Sequence, residues 1–469
     1  MAEPKRVPIP KNGVDYRGKI VLAPMVRSVE LPSRLMALKY GADLVWGPET
    51  VDKAMIGCTR RVCDRTSTVY WSRISSNAIR EPDQHPNKKE SVIYRLHPTL
   101  EHKKLIFQIG TATPELAVAA ARLVAADVAG IDVNSGCPKP FSTTGGMGAA
   151  LLKDPDRLCS ILEALVKEIG TEFEIGISVK IRILQDKADT EKLVRRLVKT
   201  GITGLTVHCR TTPMRPKERA IRDQLRMIAD VCREAGVACL MNGDVENRAQ
   251  ALELMKEYGV DGAMIATAAE KNSSVFRPES EGGKAHWKEV VRAYVESAMS
   301  VDNRWGNTKF LLAQLIPGKE EKNIGLQACR THVQVVHALG FPELEELAQK
   351  IDQVLGMDNM QHVKKVGKRA AATQRRNEQN AKRARTQDEP SDVNYASAKR
   401  AKIHDQQSEE KGKDTAVEDK RPVTQDTDAA TKEDEIEAQE DKDKYVSTDL
   451  DIQVEESKEK SIAPAAVAA

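Results

Sequence analysis

The sequence predicts an α/β protein built on a (β/α)8 TIM barrel, followed by a small helical domain and a charged C-terminal tail. Three observations predict this fold. Eight short apolar runs alternate with amphipathic helical patterns within roughly 250 residues, which is the count and size of such a barrel. The runs are apolar throughout, as in parallel strands covered by helices. A doubly wound open sheet is the alternative, but no G-x-G-x-x-G turn follows the first run.

Each predicted strand is a short run rich in β-branched and apolar residues. The eight candidates are Ile20 to Met25, Ala42 to Trp46, Leu105 to Gly110, Gly130 to Asn134, Ile175 to Ile183, Gly204 to Arg210, Val237 to Asp244 and Gly262 to Ala266. Helical patterns separate them, and glycine is the residue that a helix C-terminus prefers. We therefore expect helices to end at Gly41, Gly170, Gly201, Gly236 and Gly259.

The chain divides into four predicted regions: an N-terminal arm (1–18), the barrel (19–279), a helical domain (280–357) and a disordered tail (358–469). The start of the chain is polar and broken by prolines, which is unlike a signal peptide. No apolar run approaches the length that spans a bilayer. We therefore expect a soluble, intracellular, monomeric protein without a membrane partner.

An insertion of about residues 52–104 separates the second and third strands, and it is too long for an ordinary connection. The segments CTRRVCDRTSTVYW and SVIYRLHP predict a small extension with short strands, and SSNAIREPDQHPNKKE between them predicts an exposed polar loop. The chain has 8 scattered cysteines without zinc-finger spacing, so we expect free thiols and no metal site.

The predicted helical domain contains four amphipathic patterns. Its basic side chains form either a face for a polyanion or an ordinary solvated helix surface, and they are Lys284, Lys288, Arg292, Arg304, Lys309, Lys319, Lys322 and Arg330.

The tail is almost devoid of aromatic residues, which predicts disorder, and it is basic before it is acidic. Two basic clusters, at residues 368–369 and 382–385, fit a nuclear-localisation signal, an RNA-contacting arm or a solvated linker. We expect the chain in the cytoplasm, and also in the nucleus if the first interpretation holds.

Candidate functional residues lie at the ends of the predicted strands, because barrels of this kind gather their sites at the carboxyl ends. A lysine inside a barrel is costly unless it meets an anion, and Lys180 lies mid-strand between Val179 and Ile181. Glycines after the last two strands are where such barrels hold phosphate. Together these features predict an anionic, planar, phosphorylated cofactor, most simply FMN.

The stretch GIDVNSGCPKPFSTTGGMGAALL, from Gly130 to Leu152, places one thiol, Cys137, on a glycine-rich loop after the fourth strand. Glycines allow a backbone to approach a ligand closely. A single cysteine of this kind is more often an inert, packed side chain. Here it lies at the same carboxyl end of the predicted barrel as the candidates above.

This stretch resembles the tRNA-dihydrouridine synthase family, and it is most similar to the eukaryotic type-2 members. The resemblance also includes LAPMV at Leu22, SVKIRI at Ser178, TVHCR at Thr206 and MNGD at Met241. It implies an FMN barrel with a helical tRNA-binding domain that reduces a uridine, U20 by the type-2 likeness, with electrons from NAD(P)H. Cys137 corresponds to the catalytic acid. The implied flavin contacts are Pro24, Met25, Val26, Gln108, Lys180, His208, Asn242, Gly243, Asp244, Ala266 and Thr267.

The chain departs from the family at Thr267, where the family usually has an arginine on the flavin phosphate. Arg210, His208 and Lys271 are the candidates to compensate. Two alternatives stay open: an FMN barrel that acts on a free small molecule, and a non-catalytic tRNA-binding protein. Intact Cys137 and Lys180 speak against the second, and the basic helical domain and tail speak against the first.

Overall fold

The computed structural model describes residues 6–74 and 90–357. Within these residues the strands are β1 (Lys19–Leu22), β2 (Leu44–Trp46), β3 (Thr50–Val51), β4 (Thr59–Cys63), β5 (Thr68–Ile74), β6 (Glu90–Leu96), β7 (Leu105–Gly110), β8 (Gly130–Ser135), β9 (Gly176–Arg182), β10 (Gly204–His208), β11 (Ala238–Asn242) and β12 (Gly262–Ile265). The predicted polar loop at 75–89 and the predicted tail at 358–469 lie outside the described part.

Eight of these strands form a closed parallel barrel in the order β2-β1-β12-β11-β10-β9-β8-β7, and pairing of β2 with β7 closes it. The predicted fold class is thereby confirmed. Every predicted strand is present, although most end a few residues earlier than their apolar runs. The extra strand β3 pairs with the end of β7.

Helices connect the barrel strands and cover the outside of the sheet. They are Leu31–Lys39, Pro114–Arg122, Pro155–Leu165, Lys187–Leu197, Leu225–Ala235, Arg248–Tyr258 and Thr267–Lys271, with shorter helices at Asp52–Met55, Pro140–Thr143 and Thr171–Phe173. Odd and even positions of each strand face opposite sides, so one set packs on the helices while the other faces inward. None of the described helices is long and apolar enough to cross a bilayer.

Three of the five predicted helix-ending glycines are confirmed, since Gly41, Gly236 and Gly259 follow the ends of helices with φ angles between 66° and 96°. Gly201 also has a positive φ, but the helix before it already ends at Leu197. The prediction for Gly170 is wrong. The chain continues through a π-helical turn, Val166–Gly170, and Glu174 takes the left-handed conformation at φ 54° instead. The π-helical turn continues the helix beyond Gly170, and the sequence pattern gives no sign of this continuation. For that reason the glycine wrongly indicates the end of the helix.

The predicted insertion forms a small antiparallel sheet, β4-β5-β6, in place of a helix. Trp71 and Tyr94 from this sheet are buried, and the Tyr94 ring packs edge-on against Phe107 of β7 with centroids 4.9 Å apart. The small sheet therefore covers the outer face of β7 as a helix covers the other strands.

The N-terminal arm closes the amino end of the barrel with Tyr16, which is 1% exposed and belongs to the interior cluster with Trp46. A Cβ at Gly204 would lie 2.6 Å from the Tyr16 ring, and one at Gly262 would lie 3.0 Å from its carbonyl oxygen. Glycines at the first positions of β10 and β12 therefore make room for the arm.

After the barrel, the described residues contain five α-helices, one more than predicted: Trp287–Ser300, Trp305–Leu315, Gly318–Ile324, His332–Leu339 and Glu345–Val354. The additional helix, Gly318–Ile324, has no buried residue, so it carries no amphipathic signal. The others share a hydrophobic cluster that also includes Met36 and Tyr40 from the first barrel helix.

A buried ion pair joins the first barrel helix to the segment after β6. Arg34 Nε donates to Glu101 Oε1 at 2.6 Å, and the two side chains are 0% and 1% exposed. The guanidinium also donates to the carbonyl oxygens of Val29 and Arg95, at 2.9 and 2.7 Å. Its polar atoms are therefore satisfied although they are fully buried.

We expect Arg34→Ala to lower the free energy of unfolding by about 3–5 kcal/mol, because it leaves the Glu101 carboxylate buried without a partner. Arg195→Ala removes a solvent-exposed pair with Glu234 and should cost far less, because water and salt screen such pairs. Chemical denaturation of both variants checks the difference. Equal losses would contradict the assignment of the Arg34 pair as a buried structural element.

Candidate active site

The Cys137 loop begins with a turn that Asn134 holds at the end of β8. Asn134 Oδ1 accepts hydrogen bonds from the backbone N–H groups of Gly136 and Cys137, at 3.0 and 3.1 Å. Asparagine favours such turns because its short side chain can bond to backbone two and three residues ahead. The thiol is therefore held next to the strand end rather than on a free loop.

Gly148 folds the far side of the loop back onto Cys137. Its φ angle is +57°, and a Cβ there would lie 2.6 Å from the Cys137 carbonyl oxygen. The N–H of Ala149 donates to that same oxygen at 2.9 Å. This glycine is required by conformation and close packing, and not by the general flexibility that a glycine-rich stretch indicates.

Burial and a neighbouring carboxylate keep the Cys137 thiol neutral. Desolvation is the larger cause and the negative charge of Glu49 the second, and together they raise the pKa of Cys137 to about 11. The Glu49 carboxylate is itself largely buried, and desolvation raises its pKa as well. At neutral pH the thiol holds its proton, which is the form that a general acid requires.

Basic side chains converge at the ends of β9 and β10. Arg182 Nε donates to the Gly136 carbonyl oxygen and its Nη1 to that of Thr211, both at 2.8 Å, so Arg182 also holds the Cys137 loop. Arg210 Nη1 lies 3.2 Å from His208 Nε2. Desolvation first, then the charges of Lys180, Arg182 and Arg210, lower the pKa of His208 to about 2, so this imidazole is neutral.

Lys180 lies on the inward face of β9, in register with Asn134 of β8. Desolvation lowers the pKa of Lys180 to about 8, against the opposing attraction of Asp132. Its ammonium group makes no hydrogen bond or close ion pair with residues 6–74 or 90–357. A half-buried cation without a close partner in these residues favours an anionic ligand.

A buried polar group lies below Lys180 and was missed by sequence reasoning. Asp132 accepts hydrogen bonds from Gln108 Nε2 at 2.8 Å and from Ser178 Oγ at 2.7 Å. Desolvation raises its pKa to about 6, although both hydrogen bonds and Lys180 oppose the shift. The spacing of two between Asp132 and Asn134 was the available signal, because it puts both on the inward face.

The turn after β11 is held from several sides. Asn242 Nδ2 donates to the Met264 carbonyl oxygen at 3.0 Å. Gly243 and Asp244 both have positive φ angles, 119° and 50°, and an Arg222 Nη2 donates to both of their carbonyl oxygens at 2.9 Å. The Asp244 carboxylate also pairs with Arg210, which links this turn to His208.

The remaining candidates lie at the ends of β1 and β12, which are neighbours in the barrel. Pro24 and Met25 are half-buried, and Val26 is 40% exposed. Ala266 precedes the short helix Thr267–Lys271, whose first residue is exposed. All twelve predicted site residues therefore lie at the carboxyl rim, on β1, β7, β8, β9, β10, β11 and β12 or just after them.

Lys271 is exposed and His208 is neutral, so neither replaces an arginine at position 267 directly. Arg210 is almost fully buried and pairs with the Asp244 carboxylate, while its Nε donates to the Glu218 carbonyl oxygen at 2.8 Å. Its positive charge therefore contributes to the field of the site, although its donors are largely engaged.

The fold and this rim define the class of (β/α)8-barrel proteins that carry their site at the carboxyl ends of the strands. The family model described as dihydrouridine synthase (Dus) matches residues 21–373, three quarters of the chain. The chain belongs to the dihydrouridine synthase family.

Two similar relatives are the tRNA-dihydrouridine(20) synthases (NAD(P)+) of Schizosaccharomyces pombe and Saccharomyces cerevisiae. The first is 51% identical over 66% of this chain and 62% of its own length. The second is 45% identical over 65% of this chain and 79% of its own length. A tRNA-dihydrouridine(20a/20b) synthase of S. pombe is 29% identical over 55% of this chain and 68% of its own length. The match thus spans less than two thirds of the first relative.

We expect Gly148→Ala to destabilise the protein by about 1 kcal/mol or more, because alanine is strained at positive φ and its Cβ meets the Cys137 carbonyl oxygen. Gly145→Ala is the matched control, since a Cβ at Gly145 would meet only the flexible Met147 side chain at 3.2 Å and its φ is not positive. Thermal unfolding compares the two, and an equal effect at both positions would contradict the close packing of the loop.

Proposed function

We propose that this protein reduces a uridine of tRNA to 5,6-dihydrouridine, with bound FMN and with NAD(P)H as electron donor, and that the uridine is U20. The observation that carries the proposal is the Cys137 thiol, on the loop after β8, beside the half-buried cation Lys180 of the neighbouring strand β9 at the barrel rim. The names of the first two relatives described above, which specify tRNA position 20 and NAD(P)+, support the substrate and the donor.

The residues at the rim fit an anionic, planar, phosphorylated group. Lys180 is half-buried, has no close partner in the part of the chain that the structure describes, and lies near the positive charges of Arg182 and Arg210. Electrostatic attraction to a negatively charged ligand is therefore stronger there than in water. Pro24, Met25 and Val26 offer an apolar surface for a ring. Backbone N–H groups in the turn after β11, at Gly243, and in the turn after β12, at Thr267, would hold the phosphate in place of the missing arginine.

Reduction of the C5–C6 bond of uracil requires a hydride at one carbon and a proton at the other. FMN held by the rim residues named above would, when reduced by NAD(P)H, supply hydride chemistry at C6. Cys137 gives its proton to C5, and its raised pKa keeps it protonated throughout the neutral range. Lys180 recovers its full positive charge beside an anionic ring and stabilises it electrostatically.

A uracil in folded tRNA can be reached only after it is turned out of its stack. Lys288, Lys319 and Lys322 are exposed on the helices after the barrel, and Lys284 is exposed just before the first of these helices. These four side chains would contact phosphates. Arg292 is instead paired with Glu343 and Glu296. The basic surface is therefore smaller than the sequence predicts, and its binding to tRNA should weaken with salt.

The test is to incubate the flavin-loaded protein and NADPH with unmodified tRNA, and in parallel with free uracil and orotate. Dihydrouridine at position 20 of the tRNA is the expected product. Product from the free bases alone would favour a small-molecule reductase. Absence of flavin absorbance after reconstitution would leave tRNA binding without catalysis.

We expect Cys137→Ala to keep flavin absorbance and NADPH oxidation but to lower dihydrouridine formation by about 10²- to 10⁴-fold, the range for loss of a general acid. Cys159→Ala, at a half-buried thiol on the outer helix Pro155–Leu165, is the control and should leave product formation unchanged. Undiminished product from Cys137→Ala, measured by mass spectrometry of tRNA nucleosides, would remove Cys137 as the acid.

A further inference from the structure

Glu49 is an acidic side chain that contacts the Cys137 loop, and no predicted role includes it. Glu49 follows β2. In the barrel, β7 and β8 lie between β2 and β9, the strand that carries Lys180. Glu49 Oε1 accepts a hydrogen bond from Ser142 Oγ at 3.2 Å, and Ser142 is fully buried in the short helix of that loop. The carboxyl group thereby connects the end of one strand to the acid loop of another.

Two glycines make room for this connection. A Cβ at Gly110, the last residue of β7, would lie 2.5 Å from Glu49 Oε1. A Cβ at Gly148 would lie 3.2 Å from Cys137 Cβ. The carboxyl group, the Ser142 hydroxyl and the thiol loop therefore occupy one close-packed space, and Glu49 cannot easily turn elsewhere.

Charged groups of opposite sign face the thiol from its two sides. Lys180 and Arg182 approach from β9, and both interact electrostatically with Cys137. Glu49 approaches from β2, while Asn134 and Ser142 are neutral. Nearby cations favour the thiolate form of a cysteine. A carboxylate beside the thiol favours the neutral form.

We propose that Glu49 is a positioning residue that keeps Cys137 in its neutral thiol form and holds it in place against the pull of Lys180 and Arg182. A thiolate has no proton to give to C5, so the carboxylate preserves the acid that the proposed reaction needs. The purpose assigned to Glu49 rests on the proposed function. Its effect on the thiol does not.

The test is alkylation of Cys137 by iodoacetamide between pH 7 and 12, a range that includes the expected midpoints, followed by peptide mass spectrometry, with Cys137→Ala to identify the peptide. In Glu49→Gln, which keeps size and an acceptor for Ser142 but loses the charge, we expect the midpoint to fall by about one pH unit. Alkylation at pH 8 should then be about tenfold faster, because only the thiolate reacts. Glu253→Gln, at an exposed position on Arg248–Tyr258, should match the wild type.

Identical profiles for the wild type and Glu49→Gln would overturn the proposal. If Glu49→Gln does not fold, the wild-type profile decides. A midpoint above about 8.5, that of an ordinary thiol, supports a protected thiol, and one at or below that value overturns it.

A second readout is the pH profile of tRNA reduction. We expect its alkaline limit to move to lower pH in Glu49→Gln with an unchanged KM for tRNA, which a merely structural role would not produce. An unmoved limit counts against Glu49. If the wild type reduces no tRNA at all, the proposed function fails, and the alkylation result still decides the effect of Glu49 on the thiol.

Discussion

Closure of the parallel sheet removes water from charged side chains at the carboxyl rim, and the chemistry of the site depends on that desolvation. Burial is the largest cause of each shift there: it lowers the pKa of Lys180 to about 8 and raises that of Asp132 to about 6. Desolvation thus favours the neutral form of each group. An anionic ligand favours the charged form of Lys180, so ligand binding is coupled to the protonation of this lysine.

The Cys137 loop shows how several weak constraints produce one defined position. Asn134 turns the chain, Arg182 binds the Gly136 carbonyl oxygen, and Gly148 folds back onto the loop. None of these contacts is chemically reactive. Together they fix the position of the thiol, and its surroundings disfavour the charged thiolate, so the thiol keeps its proton. A nucleophilic cysteine needs the opposite environment, one that stabilises the thiolate.

The parts of the fold that lie away from the rim support the barrel from outside. Tyr16 fills its amino end, the β4-β5-β6 sheet covers β7, and the buried Arg34–Glu101 pair fastens the first helix to the segment that follows this sheet. Met36 and Tyr40 on the same helix join the hydrophobic cluster of the C-terminal helices. The first barrel helix therefore contributes apolar residues both to the barrel core and to the cluster of the helical region.

The sequence by itself determined the eight strands and therefore the rim, because apolar runs and their ends are local patterns. Cys137 was found in this way as a residue that follows such a run, and Lys180 and His208 as polar residues within one. Only the tertiary structure decided which side chains meet. Glu49 and Ser142 are 93 residues apart, and Gln108 reaches Asp132 on the next strand, 24 residues away. Such pairs depend on the register between strands and on closure of the barrel. The neutral state of His208 follows for the same reason, since desolvation first, and then three cations from two neighbouring strand ends, act on it only after the chain has folded.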